Sequence, residues 1–214
     1  MPRPSPSRRA PTQARARATV DALLDAAAEV IEERGFDGAT TERIVARAGV
    51  SVGSMYQYFP DKGALVAALV RRLAEDAHAL QLRWVRLLEG GASLDDGLSA
   101  FVAWLVAAHA VRPRLRCLLF ESGPLPAEHR ARMHGMHTTT ETALRRWLEG
   151  KVRQPTLTAH LLSASIPPLV HQFVLHPRPE LPPEAAIAEI QTMARAYLDA
   201  VAQPTTDGGT APRC

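Results

Sequence analysis

The chain has 214 residues, 46% of them apolar, with 25 basic against 22 acidic side chains and a formal net charge of +3. That length and apolar content support one large or two modest domains, and no run approaches the ~20 consecutive apolar residues of a membrane-spanning helix. The N-terminal stretch carries prolines and arginines with no apolar h-region, so no signal peptide is expected, and the chain is expected to be cytoplasmic. Its two cysteines, Cys117 and Cys214, cannot alone form a disulfide framework or a metal cluster. Cys117, among Leu115, Leu118 and Leu119, reads as a small apolar residue and Cys214 as an exposed thiol.

Arg3, Arg8, Arg9, Arg15 and Arg17 precede the first acid, Asp21, and Pro2, Pro4, Pro6 and Pro11 interrupt them. Residues 1–18 are therefore expected to form a disordered basic arm, suited either to DNA phosphates and the minor groove or simply to solvation. Helical periodicity dominates the remainder and no segment alternates at period two, so the expected fold class is all-α. A first helix starting between Thr12 and Thr19 buries Val20, Leu23, Leu24, Ala27, Val30 and Ile31 until Gly35 stops it. A short second helix follows, capped by Thr40, with Ile44, Val45 and Ala48 on its apolar side. Gly49 can close that helix in the left-handed conformation, Val50 can anchor the turn, and Ser51 can cap a third helix. In the third helix Met55 points inward, which leaves Val52, Gly53, Ser54, Tyr56 and Gln57 on the outer side. Pro60-Asp61 ends it and caps a long fourth helix through Leu65, Leu69, Leu73, Leu80 and Trp84, ending at Gly90-Gly91.

Ser93 with Asp96 reads as a capping box opening a fifth helix with the stripe Leu94, Leu98, Phe101, Leu105 and His109. Pro113 restarts the chain as a short amphipathic piece to Glu121, broken by Gly123-Pro124-Leu125-Pro126. On the next long helix Met133, Met136, His137, Thr140, Leu144, Trp147 and Leu148 share one face. Leu157 to Leu175 is apolar on two sides, with Leu161, Ala164 and Ser165 on one and Leu162, Ile166, Leu169 and Phe173 on the other; Pro167-Pro168 is expected to bend or interrupt it. Pro182-Pro183 begins a final helix with the face Ile187, Ile190, Ala194, Tyr197, Leu198 and Val201. Residues 203–214 read as a disordered tail.

From Thr19 to Leu69 the chain resembles the tetracycline-repressor (TetR) family of transcriptional regulators. The resemblance lies in Glu33-Arg34-Gly35-Phe36, then Thr40-Thr41 with Ile44-Val45, then Ala48-Gly49-Val50-Ser51, Gly53-Ser54, Tyr56, Tyr58-Phe59, Lys62 and Leu65. Asp61 stands where a serine is frequent, and Val52 where a basic or polar residue is frequent. The resemblance implies a three-helix helix-turn-helix DNA-binding domain over residues 19–66 and a helical ligand-sensing and dimerisation domain over residues 67–202. It implies phosphate contacts from Thr41, Tyr58 and Lys62, and a major-groove face of Val52, Gly53, Ser54, Tyr56 and Gln57 headed by Ser51. The implied partners are double-stranded operator DNA, a small-molecule effector and a second copy of the chain, with no membrane. In the family the last two helices pair between subunits, and the apolar faces of residues 157–175 and 184–201 fit either that role or an intrachain core.

Ligand binding follows from the resemblance. The aromatic, sulfur-bearing and sparse polar residues that could line a pocket are Phe101, Trp104, Leu105, His109, Phe120, Met133, Met136, His137, Thr140, Trp147 and Phe173. His109 and His137 are the ones suited to orient a ligand, an interior histidine bonded to a carbonyl being the plainer alternative. A metal-responsive regulator would use His134, His137 and Glu141, completed by Cys117 or His129. The remote alternative is a helical enzyme of unknown reaction. No phosphate-cradling glycine loop, nucleophile elbow or paired metal motif occurs, so no catalytic residue and no cofactor is expected.

Overall fold

The computed structural model describes residues 9–120 and 127–203, and among these every long element is a helix. In chain order they are α1 (Arg9–Gly38), α2 (Thr41–Ala48), α3 (Val52–Tyr58), α4 (Lys62–Glu89), α5 (Leu94–Ala110), α6 (Pro113–Phe120), α7 (Ala127–Leu148), α8 (Pro155–Leu175) and α9 (Pro183–Val201). The all-α expectation holds. Arg3 and Arg8, the break at residues 123–126 and the tail from residue 204 with Cys214 lie outside the described residues.

Helix α1 starts earlier than expected, so residues 9–18 are helix rather than disordered arm. Ala10, Gln13, Ala14, Arg15, Ala16, Arg17 and Ala18 are strong helix formers that outweigh the charge run, and Thr19 Oγ1 donates to the Arg15 carbonyl at 3.0 Å. Gly35, at φ 72° and ψ 174°, breaks the helix where only glycine is comfortable.

The chain divides into two compact units, one comprising residues 1–75 and 114–130 and the other residues 76–113 and 131–214. The division between these units falls inside α4, after residue 75, and α6 packs with the N-terminal helices. In the first unit Leu23, Ala27 and Ile31 of α1, Ile44 of α2, Met55 of α3 and Leu65 and Leu69 of α4 form a core closed by Leu115 and Leu119 of α6. Those two leucines are 0% and 2% exposed, and burying each contributes about 1.5–3 kcal/mol. Arg116, also buried, donates to the Leu73 carbonyl at 3.3 Å.

In the second unit α4 contributes the stripe Ala77, Gln81, Trp84 and Leu88, and the core is completed by Phe101 and Leu105 of α5, Leu144 and Leu148 of α7, Ile166 of α8 and Ile190 and Leu198 of α9. Trp84 stacks on Phe101 at a centroid distance of 4.9 Å and on Trp104 at 5.2 Å, while Phe101 and Trp104 meet tilted at 5.8 Å. Trp147 lies across Gly97: a Cβ there would come within 2.5 Å of its Cε2 and 3.0 Å of Leu88 Cδ2. The indole is held by its N–H to the Ala92 carbonyl at 2.9 Å, which also accepts from Lys151 Nζ at 2.9 Å. Burial beside that ring pulls the Lys151 ammonium below the usual lysine range.

Of the two expected outcomes at Pro167-Pro168, a bend or an interruption, the interruption does not occur: helix α8 runs through both prolines. Each ring removes one N–H from the helix ladder, and in the turn before them Ser163 and Ser165 donate their hydroxyls back to the His160 and Leu161 carbonyls. Gln203, expected in the tail, is tied down by its amide N–H to the Lys151 carbonyl and its side chain to the Val152 carbonyl.

Candidate functional site

Helices α2 and α3 are set by capping chemistry. Thr40 Oγ1 accepts from Arg43 N, and Ser51 Oγ accepts from Ser54 N at 3.0 Å, each satisfying an orphan donor of a first helical turn. Between them Gly49 sits at φ 67° and ψ 29°, and the N–H of Val50 reaches back to the Val45 carbonyl at 3.1 Å. The angle of the pair is fixed on α1 by Arg47, whose guanidinium meets Glu33 with two bonds and Glu29 with one, all at 2.9 Å. The hydrogen bond from Arg47 holds the Glu33 carboxyl below its ordinary range, and both carboxylates raise Arg47. Glu42 is lowered by hydrogen bonds from its own amide and Thr40.

With Met55 fully buried, α3 turns the opposite face outward: Val52 is 41% exposed, Tyr56 52% and Tyr58 38%, with Gly53 and Gln57 exposed as well. Ser51 is exposed, while Ser54 and Thr41 are half-buried. The face is neutral, so its offerings are hydroxyls, an amide and apolar surface, groups that meet base edges and thymine methyls. Lys62 is half-buried and already engaged, donating to the Phe36 carbonyl at 2.6 Å with its ammonium 4.3 Å from the Phe36 ring centroid. Asp61 caps α4 by accepting from Ala64 N at 2.7 Å.

The expected ligand residues separate. Phe101, Trp104, Leu105, Thr140 and Trp147 are buried in the second unit, and His109, Met136 and Phe173 are partly buried there. Met133 and His137 are exposed on α7, at 50% for the whole residue and 48% for the side chain respectively, apart from the buried members of the set. They share the side of α7 that buries Thr140, Leu144 and Leu148, so their exposure follows from their place nearer its N-terminal end. Phe120 packs in the first unit, stacked on His129 at 4.8 Å. His109 bonds the Leu105 carbonyl through Nδ1 at 2.7 Å, the ordinary fate of an interior histidine. A groove of about 470 Å³ between α4 and α7, with Val85, Leu88, Glu89, Thr139 and Arg146 among its walls, includes only Trp147 of the eleven. Gln81, missed by sequence reasoning, is 0% exposed; its spacing from Ala77, Trp84 and Leu88 was the available signal.

Glu141 faces His137 Nε2 at 3.6 Å, a pair within the expected set, and His160 Nδ1 at 3.3 Å, which lies outside it. Among the described residues no three His, Cys, Asp or Glu groups are arranged to hold an ion. No single described helix is long and apolar enough to cross a membrane.

Two short capped helices joined by a left-handed glycine, presenting an exposed face above a closed core, define a helix-turn-helix DNA-binding regulator. Residues 23–69 match the family model for bacterial regulatory proteins of the tetR family, and residues 93–198 match the tetracyclin repressor-like C-terminal domain. The chain belongs to the TetR family of transcriptional regulators. It is similar to the regulator YvdT of Bacillus subtilis, 45% identical over 51 residues, covering 24% of this chain and 26% of that protein. It is also similar to the regulator BetI of Escherichia coli, 38% identical over 80 residues, covering 37% of this chain and 40% of that protein. The matches thus span well under half of those relatives. A TetR-family regulator from Mesorhizobium loti shares the fold at TM-score 0.64 and 20% identity, over 87% of this chain and 96% of that one. NalD of Pseudomonas aeruginosa, a repressor of a multidrug efflux pump, does so at TM-score 0.61 and 18% identity, over 86% and 96%.

Proposed function

We propose that the chain is a homodimeric repressor that reads double-stranded operator DNA through α3 and releases it when a small apolar or aromatic molecule binds the second unit. The observation that carries this reading is the outward face of α3, where Val52, Tyr56, Gln57 and Tyr58 are exposed on a helix locked by caps at both ends of the preceding turn. Val52, Gly53, Ser54, Tyr56 and Gln57 would meet base edges, with Ser51 at the head of the helix. Thr41, Tyr58 and Lys62 would meet phosphates, Lys62 using donors beyond the one given to Phe36.

Two recognition helices are needed to span half-sites about one helical turn apart. The faces of α8 and α9 left outside the core carry Leu157 and Leu161 at 50% and 43% exposure and Met193 at 50%, and these are the proposed seam between copies. The effector would be taken up among Phe101, Trp104, Leu105, Met136, Thr140 and Phe173, with His109 beside them. A coupling of ~1–3 kcal/mol, or roughly 5–150-fold in operator affinity, suffices for release.

The test is selection of DNA fragments by the purified protein, then binding of the selected operator by variants. Gln57→Ala is expected to change preference at one operator position by ~1–3 kcal/mol, whereas Lys62→Ala should weaken all sequences alike and lower the salt-dependence slope by ~1 for each phosphate no longer neutralised. An unchanged preference profile for Gln57→Ala removes that residue from the base edges, and an unchanged slope for Lys62→Ala leaves Lys62 as a fastener of α4 to the Phe36 carbonyl alone.

A further inference from the structure

Gln81 is the polar member of the stripe that α4 buries in the second unit, and its surroundings determine which way its amide faces. Nε2 donates to the Met136 carbonyl and to Thr140 Oγ1, both at 2.7 Å. The Thr140 hydroxyl gives its own proton to the same Met136 carbonyl at 2.9 Å, so toward Gln81 it can only accept. With the amide turned over, Oε1 would face two acceptors. The orientation is therefore fixed by hydrogen-bond chemistry, and Oε1 points away from both α7 groups. There it is fully buried and has no hydrogen-bond partner among the described residues.

Two indole donors of the same core are committed elsewhere. Trp84 Nε1 donates to the Gly97 carbonyl and Trp104 Nε1 to the Ala77 carbonyl, each at 3.3 Å. A buried acceptor left unmade is unfavourable, and such atoms in native proteins call for an explanation. The same turns of α4 support the Trp84–Phe101–Trp104 stack, an apolar and aromatic surround in which a charged group would be strongly disfavoured.

We propose that Gln81 Oε1 is the polar recognition atom of the effector site, accepting one hydrogen bond from a neutral N–H or O–H on a small apolar or aromatic effector. The assignment rests on the reading of the second unit as effector-binding. It sets a chemical class: carboxylate effectors are rejected because they bring acceptors to an acceptor, ammonium effectors because the surround is apolar, and fully apolar molecules bind less tightly because Oε1 stays orphaned. Gln81 is thereby the specificity determinant, with Thr140 and the Met136 carbonyl as the pair that aims it.

The probes are indole and 1-methylindole, matched aromatic bodies with and without a donor, titrated calorimetrically into the parent protein and Gln81→Met. The parent is expected to bind indole at least ~10-fold more tightly than 1-methylindole, within the range set by one buried hydrogen bond. Gln81→Met should bring the ratio to about one while its unfolding temperature stays at or above the parental value, because the variant has no acceptor to leave unmade. Binding of neither probe, equal binding by the parent, or a ratio that survives in Gln81→Met overturns the assignment; the parental comparison stands even if the variant does not fold. The broader reading is separated by operator retention. Release by 1-methylindole at the same concentration as by indole, in parent and variant alike, keeps the effector reading and sinks Gln81, whereas the expected ratio with no effect of either probe on operator retention keeps the site and sinks its regulatory role.

Discussion

Gly97→Ala isolates the contact that locks α5 to α7. The added methyl would sit 2.5 Å from Trp147 Cε2 and 3.0 Å from Leu88 Cδ2, while ordinary carbon contacts lie at about 3.5–4.0 Å, so the indole must retreat by roughly 1 Å or more. It cannot do so freely: its N–H is bonded to the Ala92 carbonyl and Lys151 lies 5.2 Å from its ring centroid. Overpacking of this kind costs about 1–3 kcal/mol, and losing the N–H bond at a buried site adds about 1 kcal/mol. Alanine in place of glycine within a helix returns roughly 0.5–1 kcal/mol. The net expectation is a loss of about 1–3 kcal/mol, read as a lower urea midpoint with an unchanged slope. Trp147→Leu alone should cost a few kcal/mol through the cavity it leaves, but combined with Gly97→Ala the two effects should fall short of their sum, since the methyl then fills space the ring has vacated. A Gly97→Ala protein as stable as the parent, or strict additivity in the pair, would show that the packing here is loose and would return Trp147 to the effector-lining residues.

The seam and the core of the last two helices are separated by substitution. Leu161→Glu and Met193→Glu, on the exposed faces, are expected to give folded monomers in sedimentation, whereas Ile190→Glu, 5% exposed, should lose helical signal because burying a carboxylate is unfavourable by several kcal/mol; dimeric exposed-face variants would refute the seam. Glu33 supplies a pH test: its carboxyl is lowered in the folded state, so its contribution is complete above the ordinary carboxylate range of about 4.3 and is lost as pH falls through the folded value. The stability gap between parent and Glu33→Gln should therefore be constant near neutrality and close in acid, and a gap that persists at about pH 2 would place the effect outside the Arg47 pair.

The DNA-reading helices were legible because their signals are local. Thr40, Gly49, Ser51 and Asp61 act within three or four residues of themselves, and each does in the structure what its side chain suggests. The sensing half was legible as helices but not as surfaces, since a stripe of apolar residues says which face is buried and not what buries it. Ile190 belongs to such a stripe and lies in its own chain's core, while Leu161 and Met193 form part of the face left over. Met133 and His137 share a helical face with Thr140 yet lie in the open, because position along α7 decides their burial as much as position around it. Lys62 shows a further limit: its spacing from α3 is visible in the sequence, but the Phe36 carbonyl that holds it is 26 residues away. Residues 9–18 failed in the opposite direction, their charge suggesting disorder while their alanines make helix.

The DNA-reading unit is discontinuous in sequence, and that limits how the protein can be taken apart. The backbone leaves the unit after residue 75, returns at residue 114 and leaves again after residue 130. A fragment ending at residue 75 would keep every helix-turn-helix residue but lose Leu115, Leu119 and the Arg116 bond to the Leu73 carbonyl. Its core would open to water on the side α6 covers, and small units have little margin for that. The head of this regulator is thus not a detachable cassette. Grafting it onto another sensor would require a donor helix equivalent to α6, and a deletion within α6 should register first as a folding defect in the unit that carries the helix-turn-helix.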